Sequence, residues 1–244
     1  MRAKLLLAFL ALAAGYAVHL QAQATTPARL VDAAAEAMGG KTRLQGLRSM
    51  TITGYGQVGQ QNGGGNIDPN PNAPQKWTNI SGSVRTIDLQ NGRTRLVQTA
   101  TQDFVFAYER NMRGVRSDVR LDGDIAYNLG ANNRAQRVGD AQVRARRLDM
   151  QNNPVALMRA ALDPAAKFSN VRADRATNSQ VVDLVTAKGD ALTVAFDNTT
   201  KLPAWVSWVQ PDTNLGEVTL RTYYSAYVPQ KGIQVPFGYT SVID

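Results

Sequence analysis

QVVDLVTAKGDALTVAFD, residues 180–197, decides how the rest of the chain is read. Leu192, Val194 and Phe196 alternate with Thr193 and Ala195, so they fall on one face of a strand spanning Ala191–Asp197. Gln180–Ala187 is a second strand-like run, and Lys188-Gly189-Asp190 joins the two as a tight turn. Two strands joined so closely must be antiparallel, because a parallel pair needs a crossover of a dozen residues or more.

The same pattern extends in both directions. Downstream, Ala204–Gln210, Glu217–Tyr224 and Gly238 to the terminus read as strands; upstream, so does Phe168–Ala173. Further back lie Trp77–Leu89, Thr94–Thr101, Asp103–Tyr108, Gly114–Leu121 and Ile125–Leu129, with Asn91-Gly92 as the hairpin turn best suited to positive φ. A strand beginning at Met50 runs into a stretch rich in Gly, Asn, Gln and Pro, which predicts a long mobile loop over residues 59–75.

Helices are confined to two blocks. Thr26 can cap a first helix, Pro27 suits its opening position, and Leu30, Ala34, Ala37 and Met38 recur at helical spacing until Gly39-Gly40. Thr42–Leu47 predicts a short second helix. Asp140–Asp149 reads as a third, and Pro154 opens a fourth with Val155, Met158 and Leu162 on one face. Strands in succession with segregated helices make an α+β domain, with a mainly antiparallel sheet carrying an N-terminal helix and a helical insertion. Residues 25–244 are long enough to bury one such core as a single domain.

The N-terminus reads as a secretion address. Arg2 and Lys4 precede an apolar run from Leu5 to Val18, and Ala22-Gln23-Ala24 offers cleavage after Ala24. The run is shorter than the roughly 20 residues a membrane-spanning helix needs, so a periplasmic or secreted product without a transmembrane anchor is expected. The sole histidine, His19, lies inside this address, and the chain has no cysteine. Residues 25–244 therefore lack the side chains of Ser-His-Asp, Cys-His and ordinary zinc chemistry. No metal, cofactor or catalytic residue is expected in this chain.

Charge and motifs add exclusions. The formal charge of +8 falls to +6 without Arg2 and Lys4. The arginines from Arg110 to Arg147 are interleaved with Glu109, Asp118, Asp122, Asp124, Asp140 and Asp149. Mixed signs describe a solvated surface, with an anionic partner such as lipid headgroups as the alternative and no nucleic acid expected. Gly54–Gly59 matches G-x-G-x-x-G, but no helix pattern follows to hold a pyrophosphate. Asp122-Gly123-Asp124 reads as a turn rather than as a cation cluster with Asp118. Asn79-Ile80-Ser81 and Asn198-Thr199-Thr200 fit the glycosylation pattern, a signal that would carry no weight were the source bacterial, as the resemblance described below implies. Trp77, Trp205 and Trp208 are the candidate ligand-contacting side chains, and Trp205 and Trp208 fall on opposite faces of their strand.

Several segments together carry a resemblance. Ala33–Gly40 followed by Arg43–Ser49 is similar to the helix, glycine pair and short helix that open exported bacterial domains of the LolA-like lipoprotein-carrier architecture. Asn153–Leu162, Val181–Leu184, Leu202–Ala204, Asn214–Val218 and Gly232–Pro236 resemble the N-terminal region that precedes the catalytic domain in exported metallo-β-lactamase-fold hydrolases. The resemblance implies a curved, half-barrel sheet. It also implies a C-terminal hydrolase domain as partner, with zinc only in that domain, whose His-x-His-x-Asp-His motif has no counterpart here. The close at Val242-Ile243-Asp244, in a strand-like run, fits a domain cut from a longer protein or a short natural one.

Two functional classes follow: a non-catalytic accessory domain aiding substrate binding, positioning or stability, and a stand-alone carrier enclosing an apolar cavity for lipid. An enzyme working with carboxylates alone is a third. Trp208, Phe196 and Leu220 would fill the inner face of an accessory domain, whereas a carrier needs an apolar pocket with a mouth.

Overall fold

The structure, a computed structural model, describes residues 26–59, 76–102, 114–212 and 215–243. The secretion address, residues 60–75 of the expected loop and the expected strand Asp103–Tyr108 lie outside the described residues, as do Glu109, Arg110 and Arg113. The fold is α+β and mainly antiparallel. Its strands form two six-stranded sheets, divided where a pair of helices intervenes, rather than one continuous ladder. The chain divides into two compact units, one formed by Thr42–Arg159 and the other by the chain up to Lys41 together with Ala160–Asp244.

In the Thr42–Arg159 unit, β1 (Ser49–Gly59), β2 (Trp77–Asp88), β3 (Arg93–Gln102), β4 (Val115–Asp122), β5 (Ile125–Leu129) and β6 (Ala135–Arg137) pair in sequence order. The three-residue, fully exposed β6 is too short to show periodicity, which hides it from the sequence pattern. Gly92 and Gly123 take φ of +64° and +59° in the β2–β3 and β4–β5 turns. One face of the sheet is apolar and carries Ile87, Leu121 and Ala126, all buried. Helix α3 (Asp140–Gln151) packs there through Val143.

Two half-buried guanidiniums staple this unit through carbonyl oxygens. Arg146 on α3 donates to Arg120 O and Tyr127 O, both at 2.8 Å, and to Asn128 Oδ1. Arg159 donates to Leu44 O at 2.8 Å, to Gln45 O, and to Leu89 O. It thereby satisfies the last carbonyls of α2 (Lys41–Gly46), which have no partner within the helix. Burial lowers the pKa of both guanidiniums. Arg159 belongs to α4 (Pro154–Ala161), where Asn153 Oδ1 caps the N–H of Val155 at 3.0 Å. Val155, Ala156, Leu157 and Met158 are all buried, so this helix is enclosed on every side rather than along one face.

In the other unit, β7 (Lys167–Asp174), β8 (Ser179–Val185), β9 (Ala191–Asp197), β10 (Pro203–Asp212), β11 (Gly216–Gln230) and β12 (Ile233–Ile243) form a second meander. Leu192, Val194 and Phe196 share the face of Val182, Leu184 and Val206, and all six are buried. The last two strands are longer than their sequence pattern because Pro229 and Pro236 read as breakers. Both are tolerated where a strand has a described neighbour on one side only: β12 is an edge, and β10 pairs with β11 no further than Tyr223.

Helix α1 (Pro27–Ala37) packs against β7 and buries Val31, Ala34 and Ala35. Its end is locked by close backbone approach. Gln234 N donates to Met38 O at 2.9 Å, and a Cβ on Gly39, whose φ is +119°, would sit 2.1 Å from Gly232 O. No helix among the described residues is long and apolar enough to cross a membrane. Gly39→Ala combines a forbidden φ with a backbone clash. It is expected to cost about 3 kcal/mol, read as a lowered midpoint in urea unfolding followed by tryptophan fluorescence.

Candidate functional site

A cleft of about 270 Å³ opens where α1 passes the ends of β8 and β9. Leu30 and Ala33 of α1 and Phe196 of β9 give it an apolar side; Arg29, Gln180, Asp197, Asn198 and Lys201 supply its polar rim. The rim is built by the β9–β10 turn. The Asp197 carboxylate accepts the Thr199 N–H at 2.9 Å, the Thr200 N–H at 2.6 Å and the Thr200 hydroxyl at 2.9 Å. These donors, the Thr200 N–H first, hold its pKa below the usual carboxylate range. Lys201 takes φ of +64°, and its ammonium donates to Asn198 O. The Asn198 amide donates to Asn178 Oδ1 at 3.2 Å, which ties this turn to the β7–β8 turn. The cleft can receive a small molecule with an apolar body and a polar end.

The three tryptophans occupy different environments. Trp77 opens β2 and is 37% exposed, paired with Gly59. Trp208 lies on the Phe196 face of its sheet and is buried, its indole N–H donating to Gln210 Oε1 at 3.0 Å. Trp205 is equally buried on the opposite face, where it covers Val181 and Ala195. Its N–H reaches Thr177 Oγ1 at 3.2 Å and Asp174 Oδ2 at 3.3 Å, and the Arg221 guanidinium stacks 4.6 Å from its ring centre. Both faces of β10 are thus covered from Trp205 to Trp208. None of the three lines the cleft, and Leu220, half-buried, lies beside Trp208 across the β10–β11 pair.

The carboxylates are engaged as structural acceptors. Asp118 is buried on the other sheet beneath two arginines: Arg120 Nε and Nη2 donate at 2.9 and 3.2 Å, and Arg95 Nε and Nη2 at 3.2 and 2.7 Å. These donors, Arg120 first, hold its carboxyl far below the usual range. Asp88 is lowered chiefly by Asn91, and Asp174 by Thr177. Burial alone would raise Asp183, but Asn170, Thr193 and Arg172 together outweigh it. Asp122-Gly123-Asp124 forms the β4–β5 turn, with Asp122 paired to Arg93 at 2.6 Å, so Asp118 is not grouped with it. No group of three or more metal-ligating side chains occurs among the described residues. Gly54–Gly59 lies within β1, with a register shift between Gly54 and Gly56. Asn79 accepts from the Gln57 amide at 2.8 Å.

Sequence reasoning missed both the Arg95–Asp118–Arg120 cluster and the rim. The first depends on register across β3 and β4, which a long connection leaves unspecified. The second had a usable signal, because Asp197-Asn198-Thr199-Thr200 is an Asx-turn sequence between two strands. No known protein-family model matches the chain, and no curated protein matches it.

Asp118→Asn is expected to cost about 2 kcal/mol at neutral pH, since it removes a buried acceptor shared by two guanidiniums. The folded pKa is depressed, so the carboxylate's contribution is complete above the unfolded value near 4 and fades as pH falls below it. Urea titrations of both proteins should therefore converge toward pH 2 and diverge at pH 7.

Proposed function

We propose that this chain is a non-catalytic accessory domain of the kind that precedes the catalytic domain in exported metallo-β-lactamase-fold hydrolases, with a LolA-like half-barrel architecture. Its role is substrate positioning or stability in the periplasm, after removal of residues 1–24, and zinc belongs to the attached hydrolase domain. The observation that carries this reading is the state of the carboxylates. With no histidine or cysteine after residue 24, acid–base work would fall to Asp and Glu. A general acid or base at neutral pH needs a pKa raised toward 7. Asp88, Asp118, Asp174, Asp183 and Asp197 are all shifted the other way by donors that hold turns and strand pairs.

The carrier reading draws on the cleft beside α1. About 270 Å³ with a charged and amide rim suits a small polar-ended molecule better than an acyl chain. The buried Trp208 and Phe196 likewise favour a filled inner face.

Purified chain supplied with zinc is expected to hydrolyse a panel of lactams and esters no faster than buffer. Metal-dependent turnover that survives repurification would overturn the accessory reading. Native mass spectrometry after mild extraction should give the bare polypeptide mass, and a stoichiometric lipid adduct would put the carrier in its place.

A further inference from the structure

The face of the first sheet opposite its apolar core carries a row of arginines that its carboxylates only partly neutralise. Register places Thr51, Thr86, Arg95, Arg120, Tyr127 and Arg137 side by side across all six strands. Cross-strand partners in an antiparallel sheet share a face, so this row points to one side. Arg95 and Arg120 are direct partners, an arrangement in which like charges repel. Asp118 holds them together but neutralises only one. Both bind it through Nε and Nη2, and Arg120 also bonds the Tyr127 side chain, so a single carboxylate serves two guanidiniums. Arg116, two residues along β4 from Asp118, and Arg137 on β6 have no described carboxylate partner. On the same face Arg93 is matched by Asp122.

Two further observations identify what such a face receives. Val84 and Ile125 lie on it, 38% and 49% exposed, so apolar groups sit among the arginines. Tyr127 lies beneath the Arg120 guanidinium, 6.0 Å from its ring centre, rather than standing free as a stacking platform for nucleic acid bases. Three strand steps separate Arg95 from Arg137, about 14 Å at the usual strand spacing, which suits an array of separate anions better than one small ion. Guanidinium forks match phosphate oxygens.

We propose that this face docks on a bilayer of anionic phospholipid, its arginines engaging headgroup phosphates while Val84 and Ile125 enter the interface. The proposal is independent of the accessory-domain reading. It concerns a surface that reading does not use, and its readout is not turnover.

The test is co-sedimentation of the full chain with vesicles of phosphatidylcholine alone and of phosphatidylcholine with 30% phosphatidylglycerol, at about 50 and 500 mM salt. Binding to the anionic vesicles only, weakened at high salt, is expected. Arg95→Gln with Arg137→Gln should reduce partitioning about twenty-five-fold, at roughly fivefold per arginine near an anionic surface. Arg144→Gln, an exposed change on α3, should leave it within twofold. Circular dichroism and thermal melting of each variant separate lost docking from lost folding, and Arg116→Gln, at an exposed site, provides a second probe. Equal binding to both vesicle types, or an equal loss from Arg144→Gln, would overturn the proposal. So would binding of free inorganic phosphate or single-stranded DNA without vesicle binding.

Discussion

Within each sheet every described strand pairs with its neighbour in sequence, and this constraint shapes the rest of the molecule. In a meander each turn sets the register of the next strand, and a slip of one residue would move a whole strand's apolar side chains to the wrong face. The turns are accordingly specific. Gly92, Gly123, Gly189 and Gly232 take positive φ, and so do Asn178, Lys201 and Lys231. The last three are not glycines. Asn178 receives hydrogen bonds from Asn198, and Lys201 is held by Asp197 O and Asn198 O, so the surrounding contacts hold them in a conformation that side chains disfavour.

Local pairing explains why so much of the fold is legible in the residues. The strands of Ala191–Asp197 and its neighbours, the cap at Thr26 and the stop at Gly39-Gly40 each rest on short-range chemistry that sequence displays directly. What escapes is what depends on a partner far along the chain. β6 is visible only as the strand that pairs with Tyr127, Asn128 and Leu129. The extension of β12 back to Ile233 is hidden by Pro236, whose tolerance depends on lying at an edge. The opposite-face placement of Trp205 and Trp208 follows from strand parity, but the burial of both does not. Trp205 is covered because Arg221 and Asp174, far apart in sequence, close over it.

The polar chemistry follows the same division. Without cysteine or histidine after residue 24, cohesion outside the apolar cores falls to guanidinium–carbonyl and carboxylate–turn bonds. Arg146 and Arg159 each gather several backbone oxygens that an ammonium could not span, so lysine would not replace either. Asp88, Asp174 and Asp197 do for the turns what the arginines do for the helix ends. Charges committed to architecture are unavailable for proton transfer, whereas the arginines beside Asp118 keep an excess that faces solvent.

The edge at β12 has a bearing on how the chain survives at high concentration. An incoming strand would need the outward N–H groups of this edge, which fall at alternate residues. The first of them, on Gln234, is already given to Met38 O. The next outward position is Pro236, which has no N–H to give. Two successive blanks interrupt any ladder that a second molecule could build there, so this end of the strand resists the edge-to-edge association that leads to aggregates.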